Sequence, residues 1–241
     1  MTVLFAALWL PLGQQAFLAE HWMKIGTFAA PILVFMGFAA RPAGAEPVGS
    51  DLKLLAVLMA AAYMTHQFEE HWVDALGRLY PLRDFLNQAL SAAFGPEAAS
   101  AMTPQAIFFI NTSVVWLAAF LAIWGAPDHV FPALAMAGVI IVNGVAHIGQ
   151  AIAAGAYNPG LITAILLFLP VSLAVFRAVW VNGQAGAIQI AAGIAWGFLA
   201  HVILIGGLLA ANVHGLVPVA LYYAALIAWA IVPSLVFRRA G

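Results

Sequence analysis

"LKLLAVLMAAAYMTHQFEEHWVD", residues 52–74, runs from a stretch made for lipid into eleven residues that carry two histidines and three carboxylates. Its first half predicts a membrane-embedded helix, and the whole chain reads the same way. Of 241 residues, 65% are hydrophobic and 7% are charged, against about a quarter charged in ordinary soluble domains. The composition predicts an all-α, polytopic transmembrane helix bundle whose first partner is the lipid bilayer. A net charge of −1 gives nucleic acid nothing to bind. The absence of cysteine excludes disulfides, thiolate ligands and a cysteine nucleophile. No phosphate-cradling motif is present, so no nucleotide cofactor is expected. The opening "MTVLFAALWLPLGQQ" has no basic segment and no small-residue cleavage site, and reads as a retained helix.

Spanning helices need about 20 mostly apolar residues. Segments at roughly 3–23, 25–40, 52–76, 103–125, 130–154, 159–181, 187–212 and 216–237 meet that demand. The second is short, so seven to eight spans are expected in a single domain over 1–241. Proline and glycine punctuate the joints, as in "RPAGAEPVGS" (41–50) and "YNPG" (157–160). The one long polar connection, 77–102, contains "GRLYPLRDFLNQALSAAF", whose apolar rhythm predicts a helix lying in the membrane interface. With eight spans, Arg41, Lys53, Arg177, Arg238 and Arg239 share one side, and Lys24, Arg78 and Arg83 the other. The positive-inside rule then puts both termini in the cytoplasm.

On a helix His66, Glu70 (about 40° away), Asp74 (about 80°) and Glu69 (about −60°) form one stripe, while His71 at about 140° points away from it. "VNGVAHIGQ" (142–150) spaces Asn143 and His147 one turn apart, and His201 and Asn111 lie within later apolar runs. The alternation of spans brings the 66–74 stripe, His147, Asn111, Glu20, Tyr157 and Asn158 to one leaflet, the outer one. A charge at the centre of a lone spanning helix costs about 2.5–3.5 kcal/mol, so these groups must be paired, protonated, metal-bound or hydrated. Histidine and carboxylate at i and i+4 converge on one point, as in the metal sites of helical bundles. Iron, zinc and manganese all accept such donors. Zinc-protease helix signatures do not fit: HExxH requires glutamate where Gln67 stands, and HxxEH requires histidine where Glu70 stands.

"HQFEE" (66–70) resembles the signature of the HxxEE domain family of prokaryotic integral membrane proteins. "VNGVAHIGQAIAAGAYNPGLITAILLFLP" (142–170) is similar to a second part of that family, so the likeness covers about 55–180. It implies that His66, Glu69, Glu70, Asn143, His147, Tyr157, Pro159 and Gly160 are family positions, and suggests a membrane enzyme in a prokaryotic inner membrane. A more distant likeness is to CAAX-type glutamate intramembrane proteases, which Glu69, Glu70, His147 and His201 match in part. Asp74, Asn143 and Ile205 depart from that pattern.

The expected function is a metal-dependent enzyme, an oxidoreductase or hydrolase of di-iron or zinc type, acting on a lipophilic or membrane-associated substrate. His66, Glu69, Glu70, His147 and His201 are the candidate ligands, with Glu69, Glu70 and His147 at the chemistry. Asn111, Asn143, Tyr157, Asn158, Asp74 and Glu20 would orient ligands or substrate. A metal-free glutamate protease or hydrolase is the first alternative. A proton-coupled transporter is the second, disfavoured because the inner half offers only Asp128, His129 and Arg177 near its edge.

Overall fold

A computed structural model describes residues 11–236. The regular structure of these residues is helical: α1 (Ala16–Ala39), α2 (Leu52–His71), α3 (Pro81–Phe94), α4 (Pro104–Gly125), α5 (Phe131–Ala154), α6 (Leu161–Val181), α7 (Ala187–Val213) and α8 (Val219–Ser234). Among the described residues five helices, α1, α4, α5, α6 and α7, are long and apolar enough to cross a membrane. The polar last turns of α2 and the shortness of α8 keep both out of that set, so the expected seven to eight spans are not reached on length and apolarity.

Two expected boundaries are corrected. The break placed at Lys24 does not exist, because α1 runs unbroken through it. The Lys24 ammonium lies 5.2 Å from the centre of the Trp72 ring, a partner that lets a cation stay on a continuous helix. Residues 3–10 of the expected first span, and Arg238 and Arg239, lie outside the described residues. α2 ends at His71 rather than near residue 76, and the chain turns back so that Val73 pairs with Leu79.

The helices alternate in direction. Gly26 of α1 packs on Met64 of α2, and Gly37 on Val57, so these two run antiparallel. The Tyr63 ring lies 4.8 Å from that of Phe168 of α6 while His66 meets Thr163, again antiparallel. α2 is the hub. It buries Leu55, Met59 and Tyr63 as well as His66, Gln67, Glu69 and Glu70, and neighbours on several sides keep those charges out of lipid. α5 and α7 run parallel and cross where Gly138 meets Gly193 and Gly197; a Cβ on Gly138 would overlap the Gly193 carbonyl. Small residues at such a crossing let backbones approach closely. Beyond it the two helices part toward the end of the bundle where α2 terminates. α3, with Leu82 and Leu90 buried on one face, covers that end.

Candidate metal centre

One turn of α2 separates His66 from Glu70, and α5 delivers His147 to the same point. Glu70 Oε1 lies 3.2 Å from His66 Nε2 and 3.0 Å from His147 Nε2. One ligand atom from each of the three residues lies within 4.8 Å of the others. His66 is fully buried, and Glu70 and His147 are 5% and 6% exposed.

Hydrogen bonds set the tautomers. Asn158 Nδ2 donates to the His147 carbonyl at 2.8 Å, which leaves its Oδ1 to accept from His147 Nδ1 at 2.8 Å. A neutral His147 therefore presents a lone pair at Nε2. The Thr163 hydroxyl donates to Glu69 Oε2 at 2.6 Å, so it accepts from His66 Nδ1 at 2.8 Å. His66 Nε2 is then also an unprotonated nitrogen. It lies beside Glu70 Oε1 and is buried without a hydrogen-bond partner. With both rings neutral, two lone pairs and a carboxylate oxygen meet at one point, and a single proton can bridge only one of the pairs. Ligand atoms each 2.0–2.1 Å from a tetrahedral ion would be about 3.3 Å apart, close to the two spacings from Glu70 to the histidines. The donor set fits a divalent ion.

Glu69, the next residue, turns the other way. Its carboxylate accepts from Tyr157 Oη at 2.8 Å, from the backbone N–H of Ile162 at 3.2 Å and Thr163 at 2.8 Å, and from the Thr163 hydroxyl. These are first-turn amides of α6, where free N–H groups and the helix dipole favour an anion. Glu69 thus anchors α6 and, through Thr163, aims His66. Gly160 precedes that turn at φ +92°, and a Cβ there would lie 2.7 Å from His66 and 2.9 Å from His147. Only glycine closes the loop this tightly on both rings.

His71, expected to point away, belongs to the site's wall. It is buried, with Nε2 3.5 Å from Glu70 Oε2. The helical angle misleads because the Glu70 side chain is long and its two oxygens reach different partners. A relay fixes His71. The donor-only Trp116 indole gives its N–H to Gln67 Oε1 at 2.8 Å, Gln67 Nε2 donates to Asn111 Oδ1 at 2.9 Å, and Asn111 Nδ2 lies 3.3 Å from His71 Nε2. That nitrogen is therefore the acceptor. Asn111 sits in a π-helical stretch of α4, Ile110–Leu117, where Asn111 and Thr112 bond back to carbonyls one turn earlier. Such widened turns recur at functional sites.

The remaining expected residues divide. Asn143 donates to the Tyr63 hydroxyl at 2.9 Å, and His201 gives Nδ1–H to the Gly197 carbonyl at 2.8 Å, outside the three-residue cluster. Glu20 is exposed and lines a separate groove with Tyr80 and Arg83. Asp74 leaves the stripe because α2 has already ended. It accepts from the Leu76 and Arg78 amides at 2.9 Å and pairs with the Arg78 guanidinium at 2.6 Å. Burial pushes the Asp74 carboxyl up, but the Arg78 and Leu76 amides and the Arg78 charge outweigh it and hold it below its usual range. Burial raises the Tyr157 phenol, the Ala75 amide opposes this, and Glu69 raises it further. Tyr157 therefore stays protonated and donates to Glu69.

A cavity of about 270 Å³ opens beside Glu70 and His147. Its polar wall holds His71, Asn111, Asn143 and His201, and its larger part is apolar, with Val114, Val139 and Leu204. Gln67, Trp116 and Thr163 do not stand out in the sequence as site residues. Glutamine, tryptophan and threonine are commonplace in helices, and only the fold reveals which atoms they orient.

Residues 57–175 match the family described as proteins of unknown function with an HXXEE motif. No curated protein and no solved structure matches the chain.

Proposed function

This chain belongs to the HXXEE family through residues 57–175, and from that premise we propose that it is a membrane-embedded, metal-dependent enzyme acting on a lipophilic substrate. One observation carries the reading: the Nε2 of His66, buried without a hydrogen-bond partner beside Glu70 and the Nε2 of His147. A proton can serve one of these pairs, whereas a divalent ion serves all three atoms. His66, Glu70 and His147 would hold it. Two histidines and a carboxylate are a donor set of catalytic zinc and of non-haem iron(II). When bound, such an ion supplies Lewis-acid activation of water or activation of dioxygen.

The protein's own groups do the rest. Asn158 and Thr163 aim the two imidazoles, and Glu69 fixes Thr163 and the α6 terminus. The apolar wall of the cavity accommodates a substrate drawn from the bilayer and limits bulk water. The distribution of lysine and arginine supports a site toward the outer leaflet of a prokaryotic inner membrane.

Metal analysis of the purified protein tests this. About one equivalent of zinc, iron or manganese is expected in wild type, falling at least tenfold in Glu70→Ala while the melting temperature shows a folded protein. Less than a tenth of an equivalent, unchanged in Glu70→Ala, would sink the proposal. The 3.0 Å approach of Glu70 to His147 favours one other reading, a metal-free glutamate-type hydrolase. It requires activity that survives chelation.

A further inference from the structure

Two of the residues that line the cavity carry acceptor atoms that the surrounding hydrogen bonds leave open. His201 has given its Nδ1–H to a carbonyl, which leaves Nε2 as a lone pair in the neutral ring. His71 Nε2 is the acceptor end of the Trp116–Gln67–Asn111 relay. Glu70 Oε2 receives no N–H or O–H from the described residues and stands 3.5 Å from His71 Nε2. His71 Nε2 already takes the Asn111 N–H, so Glu70 Oε2 is the acceptor of this pair left waiting for a hydrogen. Asn143 donates to the Tyr63 hydroxyl, which keeps its own hydrogen and can give it to an alcohol oxygen but not take one from it.

We infer that the cavity binds a neutral lipophilic alcohol. Its O–H supplies the hydrogen that Glu70 Oε2 or His201 Nε2 lacks, and its hydrocarbon lies against Val114, Val139 and Leu204. A carboxylate or phosphate brings only acceptors and a negative charge beside Glu70. An ester or ether brings an oxygen without a hydrogen. A site built to hydrogen-bond a hydroxyl rejects an analogue that lacks it, because its own groups are left unpaired. The inference deepens the reading of this cavity as the substrate's place. Recognition by these acceptors does not itself require the ion, and an alcohol oxygen keeps lone pairs free for one.

The test compares n-octanol with its constitutional isomer heptyl methyl ether, which has the same atoms and no donor. Binding is measured by competition with labelled n-octanol on the detergent-solubilised full chain, both metal-loaded and chelator-treated. The alcohol is expected to bind about tenfold tighter than the ether, the worth of one hydrogen bond to an otherwise unpaired acceptor. His201→Leu should reduce that preference severalfold and leave ether binding unchanged, whereas His201→Gln, which keeps an acceptor, should retain it. Equal binding of alcohol and ether by wild type, or a preference for octanoate, overturns the inference. A preference that persists after chelation upholds it even if metal analysis defeats the enzyme proposal. Stoichiometric metal with no alcohol preference defeats this inference alone.

Discussion

The α5–α7 pair is built from opposite materials at its two ends. At Gly138, Gly193 and Gly197 the helices touch backbone to backbone. Farther along the same pair, Asn143 and His147 face Ala200 and His201 across an open cavity. In lipid, helices associate through van der Waals packing more than through hydrophobic exclusion, so the glycine crossing is where this pair gains its contact energy. The cavity forgoes such contacts and leaves acceptors without protein donors. The one end holds the helices so that the other can stay open.

The largest effect should come from closing that contrast at its tight end. In Gly138→Val the new side chain meets the Gly193 carbonyl, which is backbone and cannot swing aside. A loss of roughly 3 kcal/mol or more is expected, read as a sharp fall in melting temperature or loss of monodisperse protein in detergent. Ala146→Val, on the cavity wall, should leave the melting temperature near wild type. Equal tolerance of the two would mean that the crossing is not what holds the pair.

The two ends also differ in how far sequence exposes them. Apolarity alone places the helices: the expected 130–154, 159–181 and 187–212 lie within two residues of α5, α6 and α7. His66, Glu70 and His147 stand out because imidazole and carboxylate are costly in such runs. Their companions do not. Glu69 and Glu70 are neighbours with similar sequence surroundings, and only the arrival of the α6 terminus, some ninety residues on, separates the anchor from the member of the buried His66–Glu70–His147 cluster. His71 is misplaced by helical angles because a flexible side chain and a helix end lie outside that geometry. A glycine crossing is silent in one sequence, since its meaning lies in the partner helix.

A smaller effect separates aiming from holding. Asn158→Ala removes the acceptor for His147 Nδ1–H and frees the ring to change tautomer or rotate. Partners of this kind are worth about 10–100-fold in metal affinity. Competition with a chelator of known affinity should show that loss, with most of the melting temperature retained. Unchanged affinity would mean that His147 is oriented by packing alone, chiefly by the tight Gly160 loop.

The smallest effect lies at the rim, where Asp74 contrasts with Glu70. Glu70 faces the buried cluster, whereas Asp74 holds a turn whose partner Arg78 is half exposed, so water and salt screen the pair. The folded-state pKa of Asp74 is depressed. Its stabilisation is therefore fully present above the unfolded value, about 3.9, and is lost as pH falls through the lower folded value. Melting temperatures taken from neutral pH down to about pH 3 should fall more steeply in wild type than in Asp74→Asn, which lacks the titrating group. The difference should shrink in high salt only by the Arg78 share, because the Leu76 and Arg78 amides donate to the same carboxylate regardless of screening. Identical acid limbs in the two proteins would mean that the carboxylate does not fix this turn, and the end of α2 at His71 would then rest on the Trp72–Tyr80 backbone pairing instead.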